Sequence, residues 1–179
     1  MVYQNKFFKD LEKKITKHGG LYNAHAHIDR FATSDIIPYE GLTMIEKQNL
    51  TSRLHKDAYS KESLTQRMEL FLNESIECGI KKLDSFIDIA SDISLDDGLG
   101  ALNIALELKE KYKDKITFNV GAYPIFGFQK GDEKNLELFI EAAKKADFIG
   151  TLPERDDCEF YGITRNHIGF REHFRTILE

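Results

Sequence analysis

The sequence has no apolar stretch approaching the roughly 18 residues of a spanning helix, and its N-terminus, MVYQNKFFKDLEKK, lacks the apolar core of a signal peptide. A cytoplasmic protein without a membrane partner is the expectation, and the Asn-x-Ser/Thr matches at Asn49 and Asn73 then carry no meaning. Cysteine is scarce: Cys78 and Cys158 are too few and too far apart for a disulfide framework or a cysteine-based zinc ribbon. Positive charge is not in excess either. A net charge of −5 without a basic stripe argues against nucleic acid and leaves a small-molecule substrate or a protein as partner. No repeat of solenoid length and no low-complexity segment occurs, and the charged runs alternate in sign along helices, as solvated faces do.

What is present suits one globular domain. The 179 residues are 41% hydrophobic, with 13 Phe and 7 Tyr to fill a core. Phe7, Phe8, Leu11 and Ile15 recur at helical spacing among lysines and acids until Gly19–Gly20, so residues 1–20 form an amphipathic entry helix. Strands are predicted near 21–28, 81–90, 115–122 and 147–152, and helices follow each of them. The first connection reads as a helix over 42–55 and a second opened by Ser60 or Ser63, with Leu64, Met68, Phe71, Leu72 and Ile76 as its buried stripe. Ser94 is expected to open the next helix, DEKNLELFIEAAKKA forms another, and GFREHFRTILE begins the last.

Alternating strands and helices imply right-handed crossovers and a parallel sheet. Four such units are half of a closed (β/α)8 barrel, which typically takes about 250 residues. The fold class is therefore α/β, a (β/α)4 half of a TIM barrel over 21–179, and the end at Glu179 in mid-helix is expected to be a truncation. A small flavodoxin-like open sheet is the alternative, but no glycine-rich phosphate loop follows the first strand to favour it.

LYNAHAHIDR, residues 21–30, carries the chemistry. On a strand, residues two apart share a face, so His25 and His27 project together and are placed to share one ion. Zinc takes four ligands, and a catalytic site draws three from protein and leaves one position for water. Two histidines alone bind weakly. At the C-terminal end of a first barrel strand, however, the pair sits on the face where barrel enzymes do their chemistry.

NAHAHIDR resembles the His-x-His metal signature of the amidohydrolase superfamily. YEGLTMIEKQNLTSRL and SLTQRMELFLNESIECGIKKLDSFIDIA look like the region between the first two strands of its cytosine deaminase branch, and ALELKEKYKDKITFNVGAYPIFGF is similar to its second helix, third strand and proline turn. ADFIGTLPERDDCEFYG is similar to its fourth strand with Gly-x-x-Pro. The resemblance implies a divalent metal, zinc or iron, that activates water for attack on a C–N bond of a cyclic small molecule. It assigns His25 and His27 as metal ligands. The family's other ligands, a His on strand five, a His on strand six and an Asp on strand eight, and its acid/base Glu fall beyond Glu179. The catalytic residues are therefore expected outside this chain, which should hold metal weakly or not at all and be inactive alone. One position departs from the branch: Pro124 is followed by Ile125, where cytosine deaminases have a pyrimidine-reading Gln, so cytosine is a poor fit as substrate.

Further candidates follow. Asp88, near the end of the second strand, matches a family Asp at the active-site mouth and is equally explained as a strand-end polar residue. Asp29 suits a carboxylate that orients a histidine ligand. Glu154, Arg155 and Asp157 lie on the loop after the fourth strand and are substrate-contact candidates, with a surface ion-pair cluster as the alternative. Tyr123 is a candidate pocket wall with Phe126 and Phe128, unless these rings cover core. His167 and His173 read as exposed or half-buried residues of the last segment, and His18 and His55 as helix-surface residues.

Two other readings stay open. A non-catalytic half-barrel scaffold or binding module would carry unpaired edges on its first and fourth strands, and would self-associate or bind a complementary half-barrel. His-x-His-x-Asp without a preceding β-sandwich also resembles the TatD-type metal-dependent nucleases, against which stand the helical insertion and the acidic balance; the adenosine deaminase branch begins similarly.

Overall fold

A computed structural model of the chain describes residues 6–34, 40–43, 46–47, 58–91, 93, 96–157 and 166–179. Strands β1 (Leu21–Ala26), β2 (Ile80–Asp88), β3 (Thr117–Tyr123) and β4 (Phe148–Ile149) form one sheet in that order, every neighbouring pair parallel. Helix α1 (Lys6–Lys17) precedes β1, α2 (Lys61–Glu77) leads into β2, α3 (Gly100–Tyr112) into β3 and α4 (Glu133–Lys145) into β4; α5 (Phe170–Leu178) follows. Sequential order with helical crossovers is half of a TIM barrel.

The alternation within the strands makes this arrangement. In β2 and β3 the residues Leu83, Ile87, Phe118, Val120 and Ala122 are buried on the helix-covered face, against Leu64, Met68 and Leu72 of α2 and Leu102, Ala105 and Leu108 of α3. Each of the Val, Leu, Ile, Phe and Met side chains contributes roughly 1.5–3 kcal/mol by leaving water. The opposite, inner face carries Asp84 and Phe86 of β2, Asn119, Gly121 and Tyr123 of β3, and Phe148 of β4. Phe86, Gly121 and Phe148 share one register line. Glycine is required at 121 because a Cβ there would lie 2.3 Å from the Phe148 ring, and a Cβ at Gly150 would lie 2.5 Å from Phe86. The two glycines make room for a shelf of rings.

Several boundaries differ from the sequence reading. β4 has two residues rather than the six expected, because the ladder stops after Gly150 N–H donates to Ala122 O and Pro153 opens a 3-10 turn, Pro153–Asp156. β1 ends at Ala26, since Ile28–Arg30 turns into a 3-10 helix whose first N–H donates to Ser85 Oγ at 3.1 Å. The helix expected from Ser94 starts at Gly100: Asp96 and Asp97 both have φ of 52°, which breaks the helical path into a separate 3-10 turn. Ser60 does cap α2, accepting from Ser63 N–H. Ser94, His55, Cys158 and most of the helix expected over 42–55 lie outside the described residues; Glu46 and Lys47 are helical. Helix α1 forms as expected, with none of its residues buried. No helix among the described residues is long and apolar enough to cross a membrane.

Candidate metal centre at the mouth of the half barrel

The ladder between β1 and β2 slips between Asn23 and Ala26. This bulge re-aims the strand, so that Tyr22 and His25, three residues apart, both reach the inner face: Tyr22 hydrogen-bonds Asp84 through its hydroxyl, and His25 lies against Phe86. His25 and His27 then stand side by side, ring centroids 5.2 Å apart. Phe86 is 4.9 Å from His25 and 5.6 Å from His27, and Tyr123 is 5.3 Å from His27.

His27 Nδ1 is buried without a hydrogen-bond partner. Burial brings the His27 pKa down to about 4, aided by Arg30 and His25 and opposed by Asp88, so at neutral pH this imidazole is uncharged and its lone pair is free to ligate. Two imidazoles on one face with an unpartnered buried nitrogen fit a divalent cation as part of a ligand set. Among the described residues no group of three or more His, Cys, Asp or Glu is arranged to hold an ion.

The turn after His27 is fixed by a charged layer. Asp88, fully buried at the end of β2, accepts from Arg30 Nε and Nη2, both at 2.6 Å. Asp29 Oδ2 accepts from the Asp88 N–H at 3.0 Å and from the Tyr59 hydroxyl at 3.1 Å, while Asp29 Oδ1 is buried without a partner. Burial, with the charge of Asp88, pushes the Asp29 carboxyl up to about 7. Arg67 of α2 donates from Nη1 to the carbonyls of Asp29 and Phe31, both at 2.7 Å, and from Nη2 to that of Ala58. Asp88 is thus enclosed by Arg30 rather than open to a substrate, and the Asp29 carboxylate faces Tyr59 and the β2 backbone rather than an imidazole.

Tyr123 is half-buried and lies on the wall beside His27. Of the loop candidates, Glu154 is exposed, Asp157 is half-buried, and Arg155 is buried with its guanidinium 6.0 Å from the Phe126 ring centroid. Arg155 borders a cavity of about 560 Å³ shared with Ser91, Gln129, Asp132, Asn135 and His167. Phe128 belongs to the core, and Ile125 packs with Ala90 and Ile93. His18 is exposed, as expected.

His167 and His173 correct the sequence reading: both are buried, because Asp156 gives each a partner. Its carboxylate meets His167 Nδ1 at 2.6 Å and His173 Nδ1 at 2.8 Å, and Phe128 N–H donates to both its oxygens at 3.0 and 3.1 Å. Burial pushes the Asp156 pKa up, but the two imidazoles and the backbone donor outweigh it and hold the group below its ordinary value. Sequence reasoning passed over Asp156, Arg30, Tyr59 and Arg67, whose partners are distant in the chain.

No family model matches the chain. It is 27% identical over 158 residues to an uncharacterised protein of Haemophilus influenzae, a match covering 84% of this chain and 53% of the relative, so the chain spans about half the length of that curated protein. Two crystal structures of 5-methylcytosine deaminase from Klebsiella pneumoniae, liganded with phosphonocytosine and with 5-fluorocytosine, superpose with TM-scores of 0.67 at 22% identity. They cover 77% and 76% of this chain and 32% of the deaminase chain. What is shared is the fold, four parallel strands with helical crossovers that form half of a barrel.

Proposed function

We propose that this chain is the N-terminal portion of a metal-dependent amidohydrolase, a cytoplasmic deaminase or hydrolase acting on C–N bonds of a cyclic small molecule, and that it is inactive by itself. One observation carries the reading: His25 and His27 project from the inner face at the C-terminal end of β1, against Phe86 and with His27 Nδ1 unpartnered, in a half barrel whose fold is shared with a deaminase.

His25 and His27 would hold the ion, zinc or iron; when bound, it supplies a water of lowered pKa and polarises the electrophilic carbon. The chain's own residues provide the setting. Phe86, Tyr123 and Phe148 offer a ring-lined wall for a planar substrate, and the Arg30–Asp88 pair fixes the turn that follows His27. The remaining ligands and the proton-transferring carboxylate would come from the complementary half of the barrel.

The test reads the metal without turnover. Co(II) titrated into the 179-residue chain should produce a visible d–d absorption band that His25→Ala and His27→Ala each abolish. A Co(II) band that persists in both variants overturns the reading.

A further inference from the structure

The cavity bordered by Arg155 lies where the segments after β2 and β3 meet the start of α4. None of the residues that border it belongs to β1, β4 or α5, and it shares none with the ring shelf beside His25 and His27. Its walls therefore come from inside the half barrel rather than from its open edges. A volume of about 560 Å³ falls within the roughly 300–1,000 Å³ of small-molecule sites.

The lining has an apolar side, with Pro124, Phe126 and Phe139, and a charged one. Among the described residues that border the cavity, Arg155 carries the one permanent positive charge and Asp132 is the one carboxylate. Asp132 is already engaged: Oδ1 accepts from the Asn135 N–H at 3.2 Å and Oδ2 from Asn135 Nδ2 at 2.6 Å, while Asn135 Oδ1 accepts from the Ser91 N–H at 3.1 Å. The charge presented to a ligand is thus that of Arg155, which is buried beside the Phe126 ring. A planar guanidinium in such a place matches a carboxylate.

His167 supplies a second point of recognition. Asp156 holds its Nδ1 at 2.6 Å, which leaves Nε2 as the nitrogen with bonding capacity, and that atom is buried without a partner. A buried polar atom left so costs about 1–3 kcal/mol. With the proton of the neutral ring on Nδ1, Nε2 is an acceptor and is satisfied by a hydroxyl. His173 sits on the same carboxylate with its Nε2 equally unpartnered, but it does not border the cavity.

We propose that this cavity binds a small hydroxy acid bearing an apolar ring or chain, with its carboxylate on Arg155 and its hydroxyl donating to His167 Nε2. The inference goes beyond the hydrolase reading and does not depend on His25 or His27.

Ring-nitrogen NMR of the 179-residue chain labelled with 15N-histidine, kept metal-free with EDTA, tests it with mandelate as the probe. The expected result is a saturable shift of His167 Nε2 with a Kd below about 1 mM and no movement at His173, the internal control. Phenylacetate, which lacks the hydroxyl, and mandelamide, which lacks the charge, should each bind at least about tenfold more weakly. Arg155→Gln should abolish the preference for mandelate over mandelamide; the comparison of the two in the unsubstituted chain reads the same charge without a mutation. Mandelate that fails to saturate His167 by about 10 mM, or that moves His167 and His173 alike, overturns the site. Mandelamide binding as tightly as mandelate overturns the role of Arg155, and phenylacetate doing so overturns that of His167.

Discussion

Alanine at position 156 removes the carboxylate on which three buried donors converge, the Nδ1–H groups of His167 and His173 and the Phe128 N–H. A hydrogen bond to a charged group contributes about 1.5–3 kcal/mol net, and stranding a buried donor costs about 1–3 kcal/mol. Neither imidazole has a second polar contact to fall back on, since both Nε2 atoms are buried without a partner. Relaxation and water entry recover part of the loss, which leaves about 4 kcal/mol, in the 3–5 kcal/mol range for breaking a buried pair from one side. Urea unfolding followed by far-ultraviolet circular dichroism at pH 7 should show the midpoint falling by about 2 M, taking a slope of about 2 kcal/mol/M. A fall under about 0.5 M refutes the argument. The same carboxylate gives a pH signature. Its folded-state pKa lies below the ordinary value, so its stabilisation is complete above the unfolded value of about 3.9 and is lost as pH falls through the folded pKa. The wild-type urea midpoint should drop more steeply below about pH 4 than that of Asp156→Asn, and equal slopes would show that ionisation is not what the histidines hold.

Arg30→Met leaves Asp88 buried and uncompensated, a loss of about 3–5 kcal/mol; Arg30→Met/Asp88→Asn should recover most of it, and chemical denaturation of the three variants gives the coupling. Gly121→Ala places a Cβ 2.3 Å from the Phe148 ring and should destabilise by about 1–3 kcal/mol. Gly121→Ala/Phe148→Leu should restore the midpoint, and failure to do so means the strain lies in the backbone rather than the ring.

The parts of this protein legible in its sequence are those set by near neighbours. β2 and β3 declare themselves through alternation in LDSFID and TFNVGAY, because one face of each packs under α2 and α3 while the other carries the inner shelf. His25 and His27 are legible for the same reason: two residues apart on a strand means one face. DFIGTLP is apolar enough to read as a six-residue strand, yet the β4 ladder ends at Gly150, before Pro153. The bulge in β1 left no mark on the alternation pattern, although it determines that Tyr22 and His25 share a face. His167 and His173 read as exposed or half-buried, and the carboxylate that permits their burial lies 11 and 17 residues away, too far for a local pattern to show it. Arg30 stands immediately after the histidine motif, but its partner Asp88 is 58 residues distant, and no local pattern announces such a pair.

The charged layer and the ring shelf together explain why the two histidines are placed as they are. Asp29, Asp88 and Arg30 satisfy much of their bonding on one another and on Tyr59, which ties the end of β1 to the end of β2 and leaves the imidazoles against aromatic rather than polar neighbours. The His27 imidazole in that setting stays neutral and keeps a ring nitrogen available. The same arrangement bears on selectivity. Ile125, next to the proline after β3, packs with Ala90 and Ile93, so that position contributes no hydrogen bond to a molecule lying over the histidines.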